Sequence, residues 1–193
     1  MHYLTPNCGT IILLNGAAGS GKDASAELLL DEFGFVRVAF ADELKQDCAD
    51  HFKIPVALFH STTAKDKPDS RLNGQTPRSV MIERALIARL TDPEIYCRSV
   101  GHAITQHLIE GRDNIVISDL RYRTELNYII REFGDIANIL CFKIIRPDVT
   151  PSDSLSEHDL DDFSDWNAII YNTGTISDLR TLWHRLMRKH LHH

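Results

Sequence analysis

The sequence predicts a three-layer α/β fold in which helices flank a parallel sheet of five strands. Short runs that are apolar on both faces alternate with helical patterns along the whole chain. A glycine-rich loop joins the first apolar run to the first helical pattern. Strands of parallel sheets are covered on both faces by crossover helices and therefore read as continuous apolar runs. These observations favour a parallel sheet over an antiparallel one.

The elements follow in a regular order. The predicted strands cover residues 9–15, 35–41, 114–118, part of 136–145, and 168–171. The predicted helices cover residues 22–32, 43–52, 77–90, 93–110, 124–133, and about 175 to the end of the sequence. Asp42 and Thr76 are predicted helix caps, and Gly34 and Gly134 predicted helix ends. Residues 53–77 and 147–165 are predicted to be irregular, and long loops of this kind are usually functional or mobile.

Composition narrows the functional class. The length of 193 residues suits one domain with a small lid. The net charge of −6 argues against binding nucleic acid through bulk charge, but it does not exclude a local basic groove. The cysteines at positions 8, 48, 97 and 141 form no close pair in the sequence, so we interpret them as reduced, small apolar residues. The apolar run at 11–14 is too short for a signal peptide or a membrane span. We therefore predict a cytoplasmic protein without membrane contact.

The glycine loop carries the strongest functional signal. Residues 16–22, GAAGSGK, fit the first seven positions of the phosphate-binding pattern G-x-x-x-x-G-K-[ST], with a predicted strand before them and a helix after. Glycines let several backbone N–H groups point at one phosphate, and the helix N-terminus adds partial positive charge. The lysine places its charge between the β- and γ-phosphates. The predicted nucleotide-binding residues are Gly16, Ala17, Gly19, Ser20, Gly21 and Lys22.

Two carboxylates accompany the loop. Asp23 stands where the pattern has a hydroxyl that touches Mg²⁺; a carboxylate is also a hard oxygen ligand, but it equally suits the positive end of a helix. Asp119 ends an apolar strand, as the metal-orienting carboxylate of phosphate-loop enzymes does, and should open onto the same crevice as the loop. Arg121, two residues on, suits bidentate phosphate contact. A plain surface ion pair of Asp119 with an arginine is the alternative.

Several segments in order carry a family resemblance. SGKD, AFADELK, TPR, ISDLRYRTEL, IIRP, SE and NTGTISDL together resemble the deoxynucleoside monophosphate kinases best known from bacteriophages, over nearly the whole chain. Related P-loop kinases such as phosphomevalonate kinase share the SGKD loop and a D-x-R element. The resemblance implies the P-loop NTPase fold as a single kinase domain over 1–193, with a monophosphate-binding region at about 42–100 and a lid at about 147–165. It implies transfer of the γ-phosphoryl group of ATP, with Mg²⁺, to deoxynucleoside monophosphates for DNA precursor supply.

The resemblance also implies roles for individual residues. Catalysis falls to Lys22, Asp119 and Arg121, and the metal to Asp23 and Asp119. Acceptor binding falls to Asp42, Lys45, Arg78, Arg89 and Arg121. Asn172 and Thr175 are expected near the adenine, although a turn with a threonine cap explains them equally. Arg146 and Glu157 belong to the lid. Lys65, Lys67 and Arg71 are interpreted as solvated surface.

The lid departs from what a kinase lid usually carries. Residues 153–165 contain six acidic residues and neither Lys nor Arg, which would repel a triphosphate unless cations bridge the two. We expect Glu157 to hold an arginine rather than touch phosphate, and His158 to be an exposed lid residue. Trp166 and Trp183 are expected in the core or on a helix face.

The sequence is also compatible with other functions. A P-loop kinase of the same shape could act on another acceptor, either a phosphorylated metabolite or a modified base in DNA. A non-catalytic ATP-binding protein is the alternative from another class. A homodimer through the helices at 79–110 is also open, and a phage-encoded chain would act in the host cytoplasm.

Overall fold

The computed structural model describes residues 9–61 and 63–191 of the chain. Cys8, interpreted above as a reduced thiol, lies outside the described residues. The chain divides into two compact units. The first comprises the described residues up to Val38 and from Gly101 onward, and the second is Ala39–Val100. The assignment of about 42–100 as a monophosphate-binding region stays a prediction.

The first unit holds a sheet of five parallel strands in the order β2-β3-β1-β4-β5. The strands are β1 (Thr10–Asn15), β2 (Val36–Val38), β3 (Asn114–Ile117), β4 (Asn138–Ile145) and β5 (Ala168–Tyr171). β1 lies at the centre and is buried along its whole length, as its apolar run predicts. The predicted fold class is confirmed.

The helices alternate with the strands in an order close to the predicted one. They are α1 (Lys22–Phe33), α2 (Phe40–Phe52), α3 (Ala57–His60), α4 (Pro77–Thr91), α5 (Ile95–Ile109), α6 (Arg123–Phe133), α7 (Leu155–His158) and α8 (Ile176–Leu191). A short 3₁₀ helix covers Ser70–Leu72. The prediction that 53–77 and 147–165 are wholly irregular is therefore wrong, because α3, the 3₁₀ turn and α7 are too short for a periodic signal.

The second strand is shorter than predicted. β2 ends at Val38, and α2 begins at Phe40 behind Ala39, so Asp42 lies in the first helical turn and does not cap the helix. The apolar residues Phe40 and Ala41 read as a continuation of the strand, yet Phe40 is buried as the first residue of α2. The prediction of Asp42 as the helix cap is wrong. Thr76 is confirmed as a cap, since it exchanges hydrogen bonds with Ser79.

Each unit has its own apolar core. In the first unit, strand side chains such as Phe142 pack with the inner faces of α1 and α8. Trp183 is fully buried there, with its ring edge-on to Phe142 at 5.1 Å between centroids. In the second unit, Cys48, Phe59 and Leu72 are buried between α2, α3 and α4. Trp166 is half-buried beside Phe163.

The described cysteines behave as apolar residues. Cys48, Cys97 and Cys141 are buried free thiols. Burial raises the pKa of Cys48 to about 11 and that of Cys141 to about 12, so both thiols are protonated at neutral pH. Among the described residues, no helix is long and apolar enough to cross a membrane.

Candidate functional site

The glycine loop connects β1 to α1 at the carboxyl edge of the sheet. Gly16, Gly19 and Gly21 have positive φ angles of 150°, 81° and 107°. A Cβ on Gly16 would lie 2.3 Å from the carbonyl oxygen of Ile144, and one on Gly21 would lie 2.3 Å from the amide nitrogen of Asn172. Both positions therefore require glycine. The backbone is free to wrap a phosphate only because these side chains are missing.

Lys22 is folded into the loop that it follows. Its Nζ donates to the carbonyl oxygens of Gly16 at 2.5 Å and Ala17 at 2.8 Å, and the residue is 7% exposed. Burial, and then the nearby Arg121, lower the pKa of Lys22 to about 8, against the opposite effect of neighbouring carboxylates. The ammonium group is thus a largely buried positive charge inside the loop, held by two backbone carbonyls.

Asn172, for which adenine contact stays a prediction, supports the glycine loop. Its side-chain amide donates to the carbonyl oxygen of Ser20 at 2.9 Å, across 152 residues of sequence. Thr175 and Asp178 exchange hydrogen bonds at the start of α8, which is the capping arrangement considered above as the alternative for Thr175. The loop therefore receives a side-chain support from the end of β5. The hydroxyl oxygen of Ser20 is buried and has no hydrogen-bond partner among the described residues.

The segment after β3 is fixed from three sides. Leu120 donates its N–H to the carbonyl of Leu14 at 3.2 Å and accepts from the side-chain amide of Asn15 at 3.0 Å. The backbone N–H groups of Arg121 and Tyr122 donate to the carboxylate of Glu125 at 2.9 and 3.0 Å. Asp119 and Arg121 therefore lie in a turn that several hydrogen bonds hold in place. Both lie close enough to Lys22 to affect its pKa.

The acidic lid meets the basic residues of this same turn. Glu157 Oε1 accepts from Arg121 Nη1 at 3.3 Å and from the backbone N–H of Ala18 at 3.1 Å. The N–H of Arg123 donates to Asp159 at 2.6 Å, and the guanidinium of Arg123 pairs with Asp162. The expected contact of Glu157 with an arginine is present.

The side chain of Glu157 is almost fully enclosed. It is 6% exposed, and a third donor, the N–H of Ser152, lies 2.7 Å from Oε2. Burial acts to raise the pKa of Glu157, but the hydrogen bonds from Ser152, Ala18 and Arg121 hold that pKa below its ordinary value. The group is therefore a charged carboxylate in contact with the phosphate-binding loop.

A pocket of about 300 Å³ opens between the loop, the end of β4 and the lid. Its lining includes Gly16, Ser20, Arg146 and Glu157. Arg146 is exposed at its mouth. His158, also on the lining, is exposed as expected and pairs with Asp161. The pocket thus joins the predicted lid residues to the glycine loop.

The remaining predicted acceptor residues lie in the second unit, each next to a partner there. Lys45 pairs with Asp42 at 2.9 Å, and its Nζ lies 3.4 Å from Nδ1 of His60. Arg78 pairs with Asp66 at the surface. The guanidinium of Arg89 lies over the ring of Tyr96, 5.1 Å from its centroid. Arg71, interpreted as surface, is half-exposed and pairs with Asp69.

Asp23 and Asp119 are the predicted metal ligands. Asp23 is exposed in the first turn of α1, and both Asp23 and Asp119 lie near enough to Lys22 to affect its pKa. Within the described ranges, no group of three or more His, Cys, Asp or Glu side chains could hold a metal by itself. Two carboxylates beside a phosphate loop still fit Mg²⁺, because that ion keeps waters and takes ligands from substrate phosphates.

The sequence reasoning missed several supports of this site. Asn15 and Glu125 hold the turn after β3, and Arg123 binds the lid, but each does so through contacts that its local sequence does not reveal. A signal existed only for Glu125, since a glutamate three residues into a helix is typical of a capping box.

Comparison with known proteins agrees with this geometry. The chain is 29% identical over 180 residues to a protein of Acanthamoeba polyphaga mimivirus named "Putative deoxynucleotide monophosphate kinase", covering 87% of this chain and 91% of that one. It is 25% identical to the uncharacterized protein ORF76 of Ictalurid herpesvirus 1, over 89% of this chain and 64% of that protein. No protein-family model matches the chain.

Solved structures agree on the fold. A sugar kinase from Janibacter sp. HTCC2649 superposes with a TM-score of 0.51 at 15% identity, covering 93% of this chain and 94% of that one. The TT1252 protein of Thermus thermophilus gives a TM-score of 0.50 at 17% identity, covering 93% and 97%. The chain therefore has the fold of the P-loop kinases, and its predicted resemblance to the deoxynucleoside monophosphate kinases is confirmed.

Proposed function

We propose that the chain is a kinase that transfers the γ-phosphoryl group of ATP to deoxynucleoside monophosphates. One observation carries the proposal: Lys22, 7% exposed, lies inside a glycine loop beside Asp23, Asp119 and Arg121. The printed name of the mimivirus relative supports the acceptor class. Phosphoryl transfer needs little covalent help from the protein, and a site built for charge placement suits it.

The donor half of the reaction is assigned to the loop. The N–H groups of residues 17–22 hold the β- and γ-phosphates, and Lys22 neutralises the charge that develops between them. Asn172 keeps the loop in shape through Ser20. Arg121 contacts the transferred phosphoryl group from the turn that Glu125 fixes. Asp23 and Asp119 would hold Mg²⁺, which would offset the negative charge of the phosphates.

The acceptor half is assigned to the basic residues of the second unit. Lys45, Arg78 and Arg89 are proposed to bind the acceptor phosphate, with Asp42 orienting Lys45 through the 2.9 Å ion pair. Arg78 pairs with Asp66 at the surface, where ion pairs exchange partners at little cost, whereas Lys45 and Arg89 lie beside Asp42 and Tyr96. This assignment rests on the sequence resemblance and on the chemistry of the residues.

An acceptor panel tests the proposal. ADP release would be measured with MgATP and each of dAMP, dGMP, dCMP, dTMP, the ribonucleotides, phosphomevalonate and a DNA oligonucleotide. We expect release with at least one deoxynucleotide and weaker release with its ribonucleotide. ATP binding without release on any nucleotide would reject the acceptor class and direct the search to other phosphorylated acceptors.

The metal assignment has its own test. Asp23→Ala should raise the Mg²⁺ concentration needed for half-maximal rate, because one oxygen ligand is lost. Asp31→Ala, a change at an exposed position of the same helix, is the control and should leave it unchanged. An unaltered Mg²⁺ dependence in Asp23→Ala would restrict that carboxylate to stabilising the start of α1.

A further inference from the structure

The carboxylate of Glu157 occupies two donors that a phosphate would use. Its Oε1 accepts from the backbone N–H of Ala18, the third residue of the glycine loop, and from Arg121 Nη1. A carboxylate oxygen and a phosphate oxygen both accept charge-assisted hydrogen bonds from guanidinium and backbone N–H groups. The lid therefore presents an anion to the anion-binding part of its own chain.

This contact is built rather than incidental. The Glu157 side chain is 6% exposed, and its second oxygen accepts from Ser152 N–H at 2.7 Å within the lid itself. Asp159 and Asp162 contact Arg123 beside it, so the acidic lid follows the basic turn over several residues. The acidity of the lid has a structural reason: its carboxylates bind Arg121, which is proposed to serve the phosphate site, and the neighbouring Arg123.

We propose that Glu157 is an internal competitor of the triphosphate, which holds Arg121 and the Ala18 N–H until nucleotide binding displaces it. The inference rests on the proposed function for the identity of the displacing ligand. Glu157 then acts as a positioning residue: it keeps Arg121 in place without nucleotide and releases it to the phosphoryl group with nucleotide. When the site fills, the Glu157 side chain turns away from Arg121 and from the N–H of Ala18.

Hydrogen exchange at single amides gives a direct test. Ligand binding normally slows amide exchange in a site, but a Glu157 side chain that turns away from Ala18 and Arg121 also withdraws Oε2 from the N–H of Ser152. We expect the non-hydrolysable analogue AMP-PNP with Mg²⁺ to slow exchange at Gly19–Gly21 and to speed exchange at Ser152 by at least severalfold. Exchange at Ser152 that is slowed or unchanged while the loop amides are protected would overturn the proposal.

A substitution gives the second arm. Glu157→Gln keeps the shape of the side chain and removes its charge, so it should speed exchange at Ala18 and Ser152 without nucleotide. It should also lower the Kd of AMP-PNP by about three- to tenfold, because the triphosphate no longer competes with a charged carboxylate for the same donors. Asp165→Asn, which removes a lid charge at an exposed position, is the control and should change neither quantity.

The outcomes separate the two proposals. A Kd that rises in Glu157→Gln would mean that Glu157 stays bound and supports the nucleotide, which overturns the competition. Loop amides that do not respond to AMP-PNP at all would reject the proposed nucleotide site, while exchange in the variant without nucleotide still tests the contact of Glu157. In the kinase reaction, Glu157→Gln should lower the KM for ATP more than it changes kcat.

Discussion

The ammonium group of Lys22 gives the clearest prediction at the scale of single residues. Burial lowers its pKa to about 8, so the native state holds this charge at a cost in stability. Lys22→Met removes this buried charge, so the free energy of unfolding should stay equal or rise. It also removes a charge that stabilises the transition state, so kcat/KM should fall by a factor of roughly 10³ or more. Kinetics and chemical denaturation measure the two effects, with Lys189→Met at an exposed position of α8 as control. Wild-type turnover in Lys22→Met would remove its role.

Glu125 leads to a different expectation, because it acts on the backbone. It is 2% exposed and accepts from the N–H groups of Arg121 and Tyr122. Glu125→Ala should lower stability by about 1–3 kcal/mol, since two partly buried donors lose this acceptor. It should also lower kcat by misplacing Arg121. Glu132→Ala, on the exposed side of α6, should cost less than about 0.5 kcal/mol in urea denaturation.

At the scale of elements, the sequence predicts what is local and misses what is distant. β1 and β5 are found almost to the residue because each is a continuous apolar run with a turn after it. β2 is overextended because Phe40 is apolar in a strand or in a buried helix alike. The glycine loop is fully predictable from its spacing. That Glu157 contacts an arginine is expected from the sequence, but that this arginine is Arg121 is not, because 36 residues separate the two and neither neighbourhood encodes the other.

The lid turn around His158 should respond to pH. Its Nδ1 lies 2.8 Å from the Asp161 carboxylate and its Nε2 lies 3.0 Å from the Ser152 carbonyl. Both partners are acceptors, so only the protonated ring can donate to both. The hydrogen bonds with Asp161 and then Ser152 raise the pKa of His158 above 6.5.

The sign follows from that shift. A raised pKa contributes stability that is complete below the unfolded value and is lost as pH rises through the folded value. Amide protection over 152–161 should therefore fall between about pH 6 and 8. Asp161→Asn should bring the NMR titration of His158 back towards 6.5 and flatten that dependence. An unshifted His158 titration in the wild type would contradict the expectation.

At the scale of the whole molecule, one helix face is left exposed. Ile82, Leu86, Ile87 and Leu90 of α4 are 59–78% exposed in the described chain. Four such side chains in a row make a patch of a few hundred Å², about the size that marks interaction sites on soluble proteins. The opposite face of α4 packs into the core of its own unit. The exposed face is thus available for association and carries only one charged residue, Glu83, among its exposed positions from 79 to 90.

We expect this face to pair with that of a second copy. A row of apolar residues along one helix is complementary to itself about a twofold axis, and two such patches with their surroundings approach the roughly 1,000 Å² of a specific interface. Light scattering should then give twice the chain mass of 21.9 kDa. Leu86→Glu with Leu90→Glu should restore the single-chain mass and spare the fold, whereas Ile130→Glu, 47% exposed on α6, should not. A wild-type chain that stays at the single-chain mass at high concentration would contradict the dimer, because a second copy would then not bury the apolar face. The face would then be a binding site for a different partner.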